Sequence, residues 1–431
     1  MSRTPQAPTL RSLVGLPPFR RLLIGQAISA LGDWVGTVAF IAAALALTGS
    51  PFAVGVVLVI RLVPPLFAAP IGGVLSDRLD RRRLMVACNL VQAGLIATVP
   101  FGGIVWLYAI AFVHECVALL FLPARDALIP SLVPPAGLPG ANGLVMASSY
   151  GTIPFAFALF SGLRMVATHT PDWVPIAGVL RDHPLAAPFF VDAATFVVSA
   201  ALIAGLPRGG PRAAPAREGG MRWAAGAFDG FRLARRDPAL GSLGMGVAVA
   251  MFGGGALFAV GLAYVHDTLG SGDVEFGYLA SLWGLGAAIG LLTVRRFVHR
   301  GEGAVFRAAV ALCGAVLILM ALAPVLWLAF VAAVGFGLGF SVAVMVAMSL
   351  AQSLVRDEER GRLFGAVHLL FRLGLALGAL GIGGLASLVG DVGAFGVELD
   401  GNQVGLIVGG ALILSAAIAS REVRRVRVGR D

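Results

Sequence analysis

The stretch Gly72-Gly73-Val74-Leu75-Ser76-Asp77-Arg78-Leu79-Asp80-Arg81-Arg82-Arg83 decides how the chain is read. It crowds arginines and aspartates between two apolar runs, 52–75 before it and 84–105 after it. Each run is long enough for a helix to cross a bilayer, which takes about 20 apolar residues. A dense arginine patch between two such runs is the mark of a connection held on the cytoplasmic side. The composition agrees: 58% of the residues are hydrophobic and 13% charged, and the mean hydropathy is +0.90. A soluble domain carries about 25% charged residues. The apolar content runs along the whole length, which excludes soluble, fibrous and disordered classes.

Outward from this stretch the same alternation repeats. Twelve apolar runs are expected to span the membrane, at about 22–47, 52–75, 84–105, 107–128, 142–166, 187–206, 239–264, 276–295, 304–323, 325–350, 363–388 and 403–420. Pro100 and Pro324 mark turns where the polar breaks are thinnest. With the N-terminus inside, every arginine except Arg61, Arg164, Arg181 and Arg372 falls on the cytoplasmic side. The outer connections carry acids instead, among them Asp172, Asp182, Asp267, Asp273, Asp391 and Glu398. That asymmetry predicts an even number of spans with both termini cytoplasmic. The net charge of +9 is therefore a topology signal rather than a nucleic-acid footprint.

The domain organisation expected is a cytoplasmic segment 1–21, a six-helix half 22–206, a linker 207–238, a second six-helix half 239–420 and a basic tail 421–431. The linker opens Pro/Gly/Arg-rich and flexible. It continues as MRWAAGAFDGFRLARRD (221–237), which reads as an amphipathic helix on the inner membrane surface.

Residue usage removes chemistries. All 32 basic residues are arginine, so neither a P-loop lysine nor a Schiff-base lysine exists. Cys88, Cys116 and Cys313 stand singly in apolar runs, which offers no metal site and no disulfide framework. HExxH and GxSxG are both missing, so a membrane-embedded enzyme has no support, and no soluble signalling domain remains.

The opening stretch resembles the loop motif G-x-L-[SA]-D-R-x-x-R-R of the major facilitator superfamily in spacing, in following span two and in facing inward. Other stretches resemble the drug:proton antiporter branch that includes enterobactin and macrolide exporters. They are FRRLLIGQAISALGD (19–33), PARDALIPSLVP (123–134) with ANGL (141–144), GFRLARRDPAL (230–240) and RDEERGRLFGAV (356–367). Two departures stand out. The Gly-Pro-x-x-x-Gly pattern of many antiporters is replaced by Phe157-Ala158-Leu159-Phe160-Ser161-Gly162, and loop 8–9 has no aspartate at the position equivalent to Asp77. The resemblance implies an all-α, twelve-span fold in two halves with a binding cavity between them. It implies a secondary transporter that moves small molecules by alternating access, most readily proton-coupled multidrug efflux. A lipid or siderophore transporter of the same fold is the rival reading. It further implies a cytoplasmic gate of Gly73, Asp77, Arg78, Arg81 and Arg82, which Arg125 and Asp126 join at the inner end of span four.

Ionisable residues inside spans are costly and mark function or internal pairing. Asp33 lies roughly 18 Å into span one at 1.5 Å per residue, and Arg61 of span two is at a compatible depth. They read as a proton- or substrate-coupled pair or as a permanent ion pair. His114 and Glu115 are adjacent in span four, so only one is expected to face a cavity. Glu115 reads as a proton carrier, a cation site or a packing residue. His368 and Arg372, four residues apart on span eleven, share a face. Arg372 reads as a site for an anionic group or as a structural residue. Gln26, with Ser29, Gln92, Tyr150 and Gln352, is a weaker candidate. Gly335-Phe336-Gly337-Leu338-Gly339 reads as a close-packing surface. The expected partners are a small-molecule substrate and membrane lipids, with no nucleic acid, no cofactor beyond the proton gradient, a monomeric state and a multi-pass location in the cytoplasmic (inner) membrane.

Overall fold

The computed structural model describes residues 8–62, 64, 75, 79–171, 173–174, 177–207, 237–294, 296, 301–355, 360–389, 392–394 and 397–420. Among them, 11 helices are long and apolar enough to cross a membrane. They are Pro17–Thr48, Arg81–Phe101, Ile104–Leu132, Pro135–Ala167, Ala186–Ala204, Pro238–Thr268, Asp273–Thr293, Glu302–Leu322, Leu326–Ala351, Leu369–Val389 and Gly401–Ala419. The shorter apolar helix Pro51–Leu62 takes the second place in the order. Together they are spans one to twelve in the text below. The two thin breaks fall where prolines predicted them. A 3-10 turn at Val99–Phe101 carries Pro100 and ends at Gly102, and Ala323 closes span nine just before Pro324. Proline has no N–H to continue a helix ladder, so the chain turns there.

Three local features of the connections were not legible from hydropathy. A short helix, Ala177–Asp182, precedes span six. A two-stranded antiparallel ribbon, Val392–Ala394 with Val397–Leu399, precedes span twelve, with Gly393 opposite Glu398. Span seven ends in a π-turn at Tyr264–Thr268, where the buried Tyr264 hydroxyl donates to the Met320 carbonyl at 2.6 Å.

The chain forms two compact units, Met1–Ala43 with Val63–Met221 and Ala44–Leu62 with Arg222–Asp431. The end of span one beyond Ala43 and the described part of span two thus pack with the second unit. There Ser50 and Ser387 hydroxyls hydrogen-bond at 3.0 Å.

In the first unit, Phe19, Leu22, Met85, Cys88, Leu128 and Ile203 build one core across spans one, three, four and six. The helix Leu10–Val14, capped by Thr9, seats Leu13 in the same core. Asp80 caps span three by accepting from the Arg83 amide at 3.2 Å, so the acid of the loop starts the next helix. Helix ends leave carbonyls without intrahelical donors. Arginines fill them here. Arg82 Nη1 donates to Ala204 O and Leu206 O, both at 3.1 Å, and Arg21 Nη1 donates to Gly205 O at 2.8 Å. Arg81 Nη1 donates to Ala127 O, inside span four, at 3.0 Å.

In the second unit, glycine sets how closely helices approach. A Cβ on Gly314 of span nine would lie 2.6 Å from Gly410 O of span twelve, and one on Gly410 would lie 2.7 Å from Gly314 O. The glycine run of span ten behaves as its sequence suggests: a side chain at Gly337 would overlap the Trp283 carbonyl of span eight, and one at Gly339 would crowd Ala309 and Cys313 of span nine. In lipid, where apolar tails compete with apolar side chains, such close backbone contact is what binds helices together. Large apolar side chains such as Phe155, Leu292 and Leu388 are exposed, as a surface covered by acyl chains allows.

Candidate functional site

The buried polar residues are unevenly distributed. Gln26 and Ser29 on span one, Asn89 and Gln92 on span three, His114 on span four, and Asp192, Thr195 and Ser199 on span six are all buried. All belong to the first unit. In the second unit the buried polar residues include Ser341, Asn402, Gln403 and Ser420, beside the buried hydroxyl of Tyr264. Burying polar groups in a membrane protein is expensive, so a concentration of them marks a working region.

At its centre His114 Nε2 lies 3.8 Å from Asp33 Oδ1. The side chain of His114 is 4% exposed and that of Asp33 38%. An accessible carboxylate thus stands next to a buried imidazole, the arrangement a proton needs to move from an open position to a closed one. The same Nε2 lies 3.2 Å from Gln92 Nε2, an amide NH2 that donates to the ring nitrogen. Phe196 meets the ring edge-on, with centroids 5.6 Å apart. Nearby, Asn89 Nδ2 donates to Ser199 Oγ at 2.9 Å and joins span three to span six.

A second group lies closer to the Leu132 end of span four. Arg125 donates from Nε to Asp126 at 2.9 Å and from Nη1 to Gln26 Oε1 at 3.3 Å. Gln26 is therefore engaged by the arginine assigned to the gate. Arg81 and Arg82, assigned to the same gate, hold backbone carbonyls within the first unit. Gly73, Asp77 and Arg78 lie outside the described residues, as do residues 221–236 of the amphipathic segment, the 421–431 tail and the side chains of His368 and Gln352.

Glu115 is half-buried beside His114, Arg61 is half-buried in the segment that packs with the second unit, and Arg372 is exposed on span eleven. Arg164 donates to the Pro184 carbonyl ahead of span six. Tyr150 is exposed, and its ring tilts against Trp34 at 6.5 Å. A separate cluster in the second unit pairs His266 Nε2 with Asp273 Oδ1 at 2.8 Å.

Sequence reading passed over Asp192. The signal was present: it is an acid in the apolar run Phe189-Phe190-Val191-Asp192-Ala193-Ala194. The residue is 1% exposed, and its carboxyl lies against Gly32 and Gly36 of span one.

The sequence profile described as Major Facilitator Superfamily matches residues 22–379 and 243–425. The uncharacterised transporter YfiS of Bacillus subtilis is 28% identical over 47% of this chain, and the match spans only 45% of its own length. The enterobactin exporter EntS of Shigella boydii is 25% identical over 95% of this chain and 94% of its own. Among solved structures, a bacterial homologue of the human lysosomal transporter Spinster, in an inward-facing and occupied conformation, superposes with a TM-score of 0.73. That match covers 97% of each chain at 16% identity, which is a likeness of fold.

Proposed function

The chain belongs to the major facilitator superfamily, and on that premise we propose that it is a proton-coupled exporter of amphipathic small molecules, working by alternating access in the cytoplasmic membrane. Both termini lie in the cytoplasm in this reading, and the proton gradient is its energy source without any cofactor. The observation that carries the coupling is the Asp33–His114–Gln92 chain, an accessible carboxylate 3.8 Å from a buried imidazole. Histidine changes charge between about pH 5 and 8, the range a membrane proton gradient spans. A proton taken up by the pair resides on Asp33 or on the His114 imidazole. The charge of the pair then differs between the loaded and unloaded states. A charge buried in lipid is costly, so the two states favour different conformations. Asp77 and its neighbouring arginines form the cytoplasmic latch in this scheme.

The test is proton movement in proteoliposomes. Vesicles loaded with a pH-sensitive dye receive ethidium as a lipophilic cation, a neutral macrolide, or 2,3-dihydroxybenzoate as an anionic catecholate. Substrate-triggered proton flux that disappears in Asp33→Asn supports the reading. Full coupling in that variant removes Asp33 from the mechanism.

A siderophore exporter is the second reading, favoured by the match to EntS along 95% of this chain. The catecholate arm of the same assay distinguishes the two.

A further inference from the structure

Asp192 has no role in the scheme above. A Cβ on Gly32 would come within 2.7 Å of its Oδ1, and one on Gly36 would overlap its Oδ2. Gly32 and Gly36 are four residues apart and share one face of span one. Asp33 follows Gly32 directly. The carboxyl therefore rests on the turn that bears the accessible member of the Asp33–His114 pair.

Span six makes three more contacts to the same region. Thr195 Oγ1 donates to its own helix at Asp192 O, 2.7 Å, and occupies the space beside Gly32. Phe196, one turn from Asp192, meets the His114 ring. Ser199 accepts from Asn89 on span three, the helix that also carries Gln92. One face of span six, 192–199, thus touches both the helix turn of Asp33 and the ring of His114. An apolar residue of similar size would fill this space without the cost of burying a carboxyl.

Resting on the coupling reading, we propose that Asp192 is a positioning residue for the Asp33–His114 pair. It seats the Gly32–Gly36 turn against span six and supplies a charge-bearing group to the region the imidazole occupies. The titratable and charged groups on the elements that meet span six include Asp33 on span one, His114 and the adjacent Glu115 on span four, and Arg164 on span five. Arg181 and Asp182 stand on the short helix ahead of span six. Span three contributes the neutral Asn89 and Gln92.

The experiment needs no substrate. Full-length protein in nanodiscs is labelled at histidine with nitrogen-15, and the His114 signal is assigned by its loss in His114→Gln. The pH midpoint of that signal is then compared among wild type, Asp33→Asn, Asp192→Asn and Gly36→Ala. The proposal expects Asp192→Asn to displace the midpoint by about half a pH unit or more, with the protein still folded. Gly36→Ala, whose new methyl group pushes against the carboxyl, displaces it as well. Adding Asp192→Ser to Gly36→Ala restores the thermal stability that the single change loses. An unmoved midpoint in folded Asp192→Asn overturns the proposal. Should Asp192→Asn fail to fold, an unmoved midpoint in Gly36→Ala overturns it instead. A midpoint that ignores Asp33→Asn but follows Asp192→Asn overturns the coupling pair and leaves the contact of Asp192 intact.

Discussion

Nε2 of His114 stands 3.8 Å from Oδ1 of Asp33, 81 positions away in the sequence, with a glutamine of a third helix on the same nitrogen. In the proposed coupling their unequal exposure makes the carboxylate the entry point and the ring the interior station.

Removing the entry point is expected to uncouple transport. Asp33→Asn keeps the size of the side chain and removes its charge. Transport driven by an imposed pH gradient falls by about tenfold or more, equivalent to about 1.4 kcal/mol of driving interaction. Substrate equilibration without a gradient persists. Uptake into vesicles with and without the gradient measures both.

His114 is expected to matter for pH response and for stability separately. His114→Gln retains a polar side chain opposite Gln92 and unfolds within about 1 kcal/mol of wild type. His114→Ala leaves Gln92 unsatisfied and opens space beside Phe196, at a cost of about 2–4 kcal/mol. Both variants flatten the pH dependence of transport between about pH 5 and 8. Thermal unfolding in detergent and pH-stepped transport separate the two effects.

Helix contact through glycine predicts sharp position dependence. Gly314→Ala pushes a methyl group toward Gly410 O and costs about 1–3 kcal/mol. Gly94→Ala, where a Cβ would meet nothing within 4 Å, leaves stability unchanged or slightly raised. Fluorescence-detected size exclusion after a heating series reads both.

Arg82 is expected to hold the end of span six. Arg82→Ala leaves the Ala204 and Leu206 carbonyls without this donor and lowers stability by about 1 kcal/mol, more at low salt than at high. Arg82→Lys recovers part of it as a single-point donor. An ion-strength series of melting temperatures checks the prediction.

Much of this architecture was legible without coordinates. Span number and order follow from hydropathy, and the turns at Pro100 and Pro324 from the missing N–H of proline. These are properties of contiguous residues, and a bilayer admits few other solutions because every backbone polar group in it must be bonded internally. Asp33, His114 and Gln26 stood out for the same reason: an ionisable or amide side chain in an apolar run is visible in one dimension.

The tertiary structure decided the rest. It determined that His114 meets Asp33 and Gln92, that Arg125 reaches Gln26, and that Asp192 rests on Gly32 and Gly36. It turned Arg81 and Arg82 to backbone carbonyls of spans four and six and brought the end of span one beyond Ala43 and the described part of span two into the second compact unit. Each of these depends on how a helix is rotated about its axis and which neighbour it packs against. With apolar residues on nearly every face of a membrane helix, the sequence carries little record of that rotation, and only the packing of distant segments settles which polar side chain meets which.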